Sequence, residues 1–159
     1  MPTALLTGDI NLMNVDNPNV PFRRVRDILD SADVRFSNLE CSLHQPQHGH
    51  TIENEGFFAD PEVGAAALKI ANVDAVGIAN NVNYGEANIL GSMATLQSHG
   101  VPFAGAGRNR AEARKPVIVE RAGVRYGFLQ RSSVYWSTDH EAGETGVGDR
   151  KSTRLNSSH

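Results

Sequence analysis

The sequence predicts an α/β fold built on a largely parallel sheet. Three observations carry that expectation. Short apolar runs alternate with stretches whose apolar residues recur at helical spacing. The apolar runs end in Gly, Asp or Asn, as strands do where they hand over to turns. Two final runs flank Ala122-Gly123 and read as a β-hairpin.

Each element follows in order. Ala4-Leu5-Leu6-Thr7 is a strand ending at Gly8-Asp9. Phe22, Val25, Ile28, Leu29 and Ala32 lie at helical spacing behind Pro21, which a helix's first turn tolerates; Arg23, Arg24, Arg26 and Asp30 mark the outer face. Val34-Arg35-Phe36 is a strand running into Asn38-Leu39-Glu40. The stretch from Cys41 to Gly56 is polar, with Pro46, Gly49 and His44, His48 and His50, and reads as a long loop of the kind that often carries function. Asp60-Pro61-Glu62 joins a capping side chain to Pro at the first helical position, and the helix runs to about Ala71. Asp74 to Ala79 is the third strand, ending at Asn80-Asn81. Ile89, Leu90, Met93 and Leu96 form the stripe of another helix, which Gly100 stops. Val101 to Ala104 is the fourth strand, followed by Gly105-Ala106-Gly107. Asn109 and Glu112 fit a capping box for a short helix. The hairpin pairs Val117-Ile118-Val119 with Val124 to Leu129. The order is β-α-β-α-β-α-β-α, then the hairpin.

Composition bounds the function. A chain of 159 residues, 40% hydrophobic and 21% charged, has the makings of one globular domain rather than a disordered one. No apolar run approaches the ~20 residues of a membrane span, and Met1-Pro2-Thr3 lacks the basic start of a signal peptide. A cytoplasmic location is the expectation. Cys41, alone, makes no internal disulfide and fits a reducing compartment. The net charge of −3 leaves no nucleic-acid footprint. Residues 149–159, DRKSTRLNSSH, match the translation of a common sequencing-library adapter and are set aside from fold reasoning. Without them, 12 basic and 17 acidic residues leave −5. Residues 1–148 then read as the front part of a larger α/β unit.

Sites in open α/β sheets lie at the carboxyl ends of the strands. Three strands end there in oxygen-bearing side chains: Asp9 with Asn11, Asn38 with Glu40, and Asn80 with Asn81. Such donors suit Mg²⁺, Mn²⁺ or Ca²⁺. Each also has a plainer role: Asp after Gly forms turns, an Asn pair caps a helix, and a lone Glu is solvated. His44, His48 and His50 could bind metal or line an entrance, against the reading of a solvated loop. Gly105 to Asn109 could cradle an anion beside Arg108, but lacks the dinucleotide fingerprint and reads as a tight turn. Arg131 could meet an anionic substrate or simply be exposed. Tyr135-Trp136 and Asp139-His140-Glu141 form a mixed aromatic and acidic loop. Cys41 reads as a small buried residue rather than a nucleophile.

These residues carry a resemblance. Gly8-Asp9-Ile10, then Ala32-Asp33 with Phe36-Ser37-Asn38-Leu39-Glu40, then Ile78-Ala79-Asn80-Asn81 follow the order of motifs in the CapA family of capsule and poly-γ-glutamate synthesis proteins. Thr95-Leu96, Gly100-Val101-Pro102, Gly105-Ala106-Gly107 and Ala111 to Val117 continue it, over nearly all of residues 3–135. The resemblance implies a metallophosphatase-like (calcineurin-like) layered α/β sandwich, here truncated after its first half. It implies a two-metal centre that activates water and polarises a phosphoryl group. Asp9 matches the first metal-ligand aspartate, Glu40 the acidic position of a bridging carboxylate, and Asn81 the Asn of the phosphoesterase motif; Asn38 lies beside them, with Asn11 and Asn80 as supporting candidates. Two departures stand out. Val82 occupies the position of the family's His, which in a phosphoesterase helps protonate the leaving group. The downstream His-containing motifs have no match. The resemblance thus implies a role in capsule or polyglutamate synthesis, as a metal-dependent hydrolase when full length and inactive as this chain stands. The alternatives are a non-catalytic module binding an anionic polymer, and an unrelated α/β nucleotide-binding enzyme. The expected partners are an anionic polymer or a small phosphorylated substrate, and no nucleic acid.

Overall fold

The structure, a computed structural model, describes residues 1–45, 57–83 and 85–132. Its elements follow the predicted order: β1 (Ala4–Ile10), α1 (Arg26–Asp30), β2 (Val34–Leu39), α2 (Pro61–Ile70), β3 (Ala75–Gly77), α3 (Glu86–Ser98), β4 (Phe103–Ala104), α4 (Arg110–Ala113), β5 (Val117–Arg121) and β6 (Val124–Phe128). The caps read from sequence are formed. Asp60 accepts from the Val63 N–H at 2.9 Å to start α2, and Asn109 accepts from the Glu112 N–H at 2.9 Å to start α4. Gly100, at φ 65°, follows α3 in the left-handed region its role there requires.

Two expectations are corrected. The helix predicted from Pro21 is regular only over Arg26–Asp30. Residues 21–25 form successive turns, with the Arg23 N–H bonded to the Val20 carbonyl and the Val25 N–H to that of Phe22. Val25, at the N-cap, has no side-chain oxygen to end the turns and start the helix earlier. The second correction concerns the polar loop. Cys41 is buried as its sequence reading expects, and the burial continues through Ser42 and Leu43. Ser92 and Thr95, one turn apart on α3, satisfy that backbone: the Ser92 hydroxyl accepts from the Leu43 N–H at 3.0 Å and the Thr95 hydroxyl donates to the Leu43 carbonyl at 2.8 Å.

β1, β2, β3 and β4 form a parallel sheet in sequence order. Right-handed crossovers in such an order put α1, α2 and α3 on one face. On that side Leu39, Leu68, Val76, Ile89 and Leu96 belong to one buried cluster. The other face carries the antiparallel pair β5–β6. There Val34, Ala75 and Val119 pack with Phe36, Val117, Tyr126 and Phe128. Ala75 and Val76, adjacent in β3, fall in opposite clusters, as a strand buried on both faces requires. The result is a layered α/β sandwich: helices, parallel sheet, hairpin.

Beneath the sheet, at the strands' amino ends, the Arg35 guanidinium donates to the Leu29 carbonyl at 2.5 Å, the Ala32 carbonyl at 2.6 Å and the Asp74 carboxylate at 3.2 Å. Arg121 of the hairpin bonds the same carboxylate at 2.6 Å. These ion pairs tie the hairpin to the sheet, and Arg35, Asp74 and Arg121 also line a cavity of about 610 Å³ at this end; the carboxyl rim lies at the other. Among the described residues, no helix is long and apolar enough to cross a membrane.

Candidate functional site at the carboxyl rim

Asp9 reaches the rim through an irregularity in β1. Leu6 stands opposite Phe36, and Asp9 opposite Asn38, so β1 uses one residue more than β2 between the two pairs. Bulges of this kind re-aim side chains beside sites. Here it sets Asp9 beside Asn38, whose amide donates to the Asp9 carboxylate at 2.6 Å. Glu40, one residue past β2, completes a pair of facing carboxylates.

The two carboxylates differ in character. Asp9 is held below the usual carboxylate range, first by the Asn38 hydrogen bond and then by sharing a hydrogen bond with Glu40. Glu40 is pushed up, first by burial, then by the hydrogen bond and negative charge of Asp9. Two like charges this close favour a shared proton or a cation.

Behind them runs a line of amides. The Asn38 oxygen accepts from Asn80 at 3.0 Å and from Gln130 at 2.7 Å. Asn80 is buried and also donates to the Leu39 carbonyl at 2.8 Å. Its own oxygen accepts from the N–H groups of Val82 and Asn83 at 3.2 and 3.1 Å. Asn83 is buried and donates to the Leu39 carbonyl at 3.2 Å, while its side-chain oxygen has no hydrogen-bond partner among the described residues.

The structure therefore brings Asp9, Asn38, Glu40 and Asn80 together. Asn11 is turned elsewhere: its oxygen accepts from the Met13 N–H at 2.9 Å in a local turn. Asn81 is exposed on the loop after β3. Val82 is buried, with 6% of its surface exposed, and presents a core side chain on the loop after β3. Arg108 is exposed, and its N–H donates to Glu112 at 2.9 Å. The Arg108 N–H and, at the Asn109 cap, the Glu112 N–H are thus both taken by side chains of this turn. Arg131 is exposed just beyond Gln130. The His44 ring packs over Gly91 on α3. His48, His50, Tyr135, Trp136, Asp139, His140, Glu141 and residues 149–159 lie outside the described residues.

Sequence reasoning missed Gln130 and Asn83. Asn83 had a local signal, since Asn80 and Asn83 frame one turn. Gln130 had none beyond its place at the end of the hairpin.

The donor set suits a hard divalent cation: two facing carboxylates at a strand-end rim, one of them already fixed by an amide. Among the described residues no group of three or more His, Cys, Asp or Glu gathers around a metal position. No curated protein matches the chain. The family model of the bacterial capsule synthesis protein PGA_cap matches residues 3–158, a metallophosphatase-like family whose fold agrees with the sandwich seen here. The chain belongs to that family of bacterial capsule synthesis proteins.

Proposed function

We propose that the chain serves capsule synthesis through a divalent-cation site at this rim, held by Asp9 and Glu40, that meets an anionic group of the capsule polymer or of a small phosphorylated precursor. The single observation carrying this reading is the facing pair of Asp9 and Glu40, with Asn38 bonded to the first. A cation held there supplies charge to bind a phosphoryl or carboxyl oxygen, and polarises it. The protein's own contribution is placement. Asn38 fixes the Asp9 carboxylate, and the partial burial of Glu40 strengthens its attraction for a cation.

A second reading, metal-dependent phosphoester hydrolysis, is favoured by the metallophosphatase-like family. Val82 weighs against it within this chain. A buried aliphatic side chain delivers no proton to a leaving group.

Titration calorimetry with Mn²⁺ on the whole chain tests the site. Tight binding that Asp9→Ala and Glu40→Ala each weaken at least about tenfold supports the assignment. Unchanged affinity in both variants removes it. Turnover of bis-p-nitrophenyl phosphate with Mn²⁺, lost in the same variants, would select hydrolysis over binding.

A further inference from the structure

We propose that Gln130 is a positioning residue for the Asp9–Glu40 cation site: it acts through Asn38 and couples the docking of the hairpin to the affinity of the rim. The inference rests on the cation-site reading given above and adds to it a residue two positions past the end of the hairpin.

The hydrogen bonds along this line have one consistent polarity. A backbone N–H only donates. The Ala79 N–H meets the Gln130 side-chain oxygen at 2.8 Å, which turns the Gln130 NH₂ group toward Asn38, at 2.7 Å from its oxygen. The N–H groups of Val82 and Asn83 likewise take the oxygen of Asn80, which turns its NH₂ group toward the same Asn38 oxygen at 3.0 Å. With two donors on its oxygen, Asn38 has only its NH₂ group to offer Asp9, and the 2.6 Å bond between them follows. Reversing Asn38 would set its NH₂ group against two others and its oxygen against a carboxylate. The rim carboxylate is thus oriented by backbone N–H groups two side chains away.

The fold makes room for this. Gly77 of β3 lies directly beneath the Gln130 amide, and a Cβ there would overlap it. Gly105, at φ 96°, is close enough that a Cβ would stand 3.1 Å from the Gln130 carbonyl oxygen. Both glycines border the residue the sequence did not mark.

A plain structural pin on the hairpin would also use Gln130, so the test must separate the two roles. The probe is Mn²⁺ alone, titrated at pH 8 into the whole chain, with a thermal melt to confirm folding. Gln130→Met keeps length and removes both hydrogen bonds. We expect it to weaken Mn²⁺ binding about three- to tenfold, less than loss of a ligand. In an Asn38→Leu background the same substitution should add nothing, because the route to Asp9 is already cut. Equal effects in both backgrounds, or none in either, overturn the proposal. Gln130→Glu is a second variant that keeps the bond from Ala79. Its added negative charge by itself would tighten cation binding; the relay predicts weaker binding, since the carboxylate repels the Asn38 oxygen and turns it toward Asp9. Equal or tighter binding overturns the proposal. If Asp9→Asn abolishes Mn²⁺ binding while the Gln130 variants are silent, the relay fails and the cation site stands. If Asp9→Asn binds as the parent does, both fail.

Discussion

Phe36 of β2 and Phe128 of β6 stack with ring centroids 4.6 Å apart and planes 8° from parallel. They join the parallel sheet to the open end of the hairpin, where Phe128 pairs with Val117. Arg121 with Asp74 ties the lower end of the hairpin, and Gln130 with Ala79 and Asn38 ties the upper end. The hairpin is therefore the second β layer of the sandwich, and the segment just past it is part of the frame of the rim site. The stack should contribute beyond its buried area. Phe36→Leu, Phe128→Leu and the double variant, measured by urea denaturation, should show a coupling of about 0.5–1.5 kcal/mol. Additive losses would mean that the rings are in contact without specific interaction.

The lower tie predicts an asymmetry. Asp74 is buried, with 5% of its side chain exposed, and holds Arg35, at 11%, and Arg121, at 50%. Removing the carboxylate strands the largely buried Arg35 guanidinium, whereas removing Arg121 strands little. Asp74→Ala should cost about 3–5 kcal/mol, and Arg121→Ala no more than about 1 kcal/mol. Comparable losses from the two would show that Arg35 finds other compensation when Asp74 is gone.

The parts of this fold written in local sequence were readable before the structure. The Asp60-Pro61 and Asn109–Glu112 signals act within one helical turn, and the alternation of apolar runs predicted a largely parallel sheet, though not the order of its strands. The rim carboxylates were readable too, because strand ends are where chemistry collects. What escaped depends on distant partners. Gln130 meets residues 51 and 92 positions earlier. No pattern in the residues around it announces them. The burial of Cys41 was expected, but that of Ser42 and Leu43 depends on hydroxyls about 50 positions later on α3, so a window that also holds three His reads as solvated beyond Cys41. The irregularity in β1 that delivers Asp9 to Asn38 leaves no mark on hydrophobic periodicity.

Cys41, next to Ser42, makes the burial of this segment measurable. Burial pushes its thiol up to about 11 from an ordinary 9.0; the nearby Glu40 charge adds to the rise and the Leu12 backbone bond opposes it. The native state thus keeps this proton where the unfolded chain releases it. The stabilisation is fully present below pH 9 and is lost as pH rises from about 9 to about 11. Its ceiling is about 3 kcal/mol. Two measurements check this. The native protein at pH 8 should resist a disulfide thiol reagent that reacts at once after urea unfolding. Between pH 9 and 11 the stability of the parent should fall more steeply than that of Cys41→Ala, because only the parent carries the group. Parallel curves would show that the thiol ionises in the folded protein as readily as in the open chain, and that Cys41 is not sealed under α3.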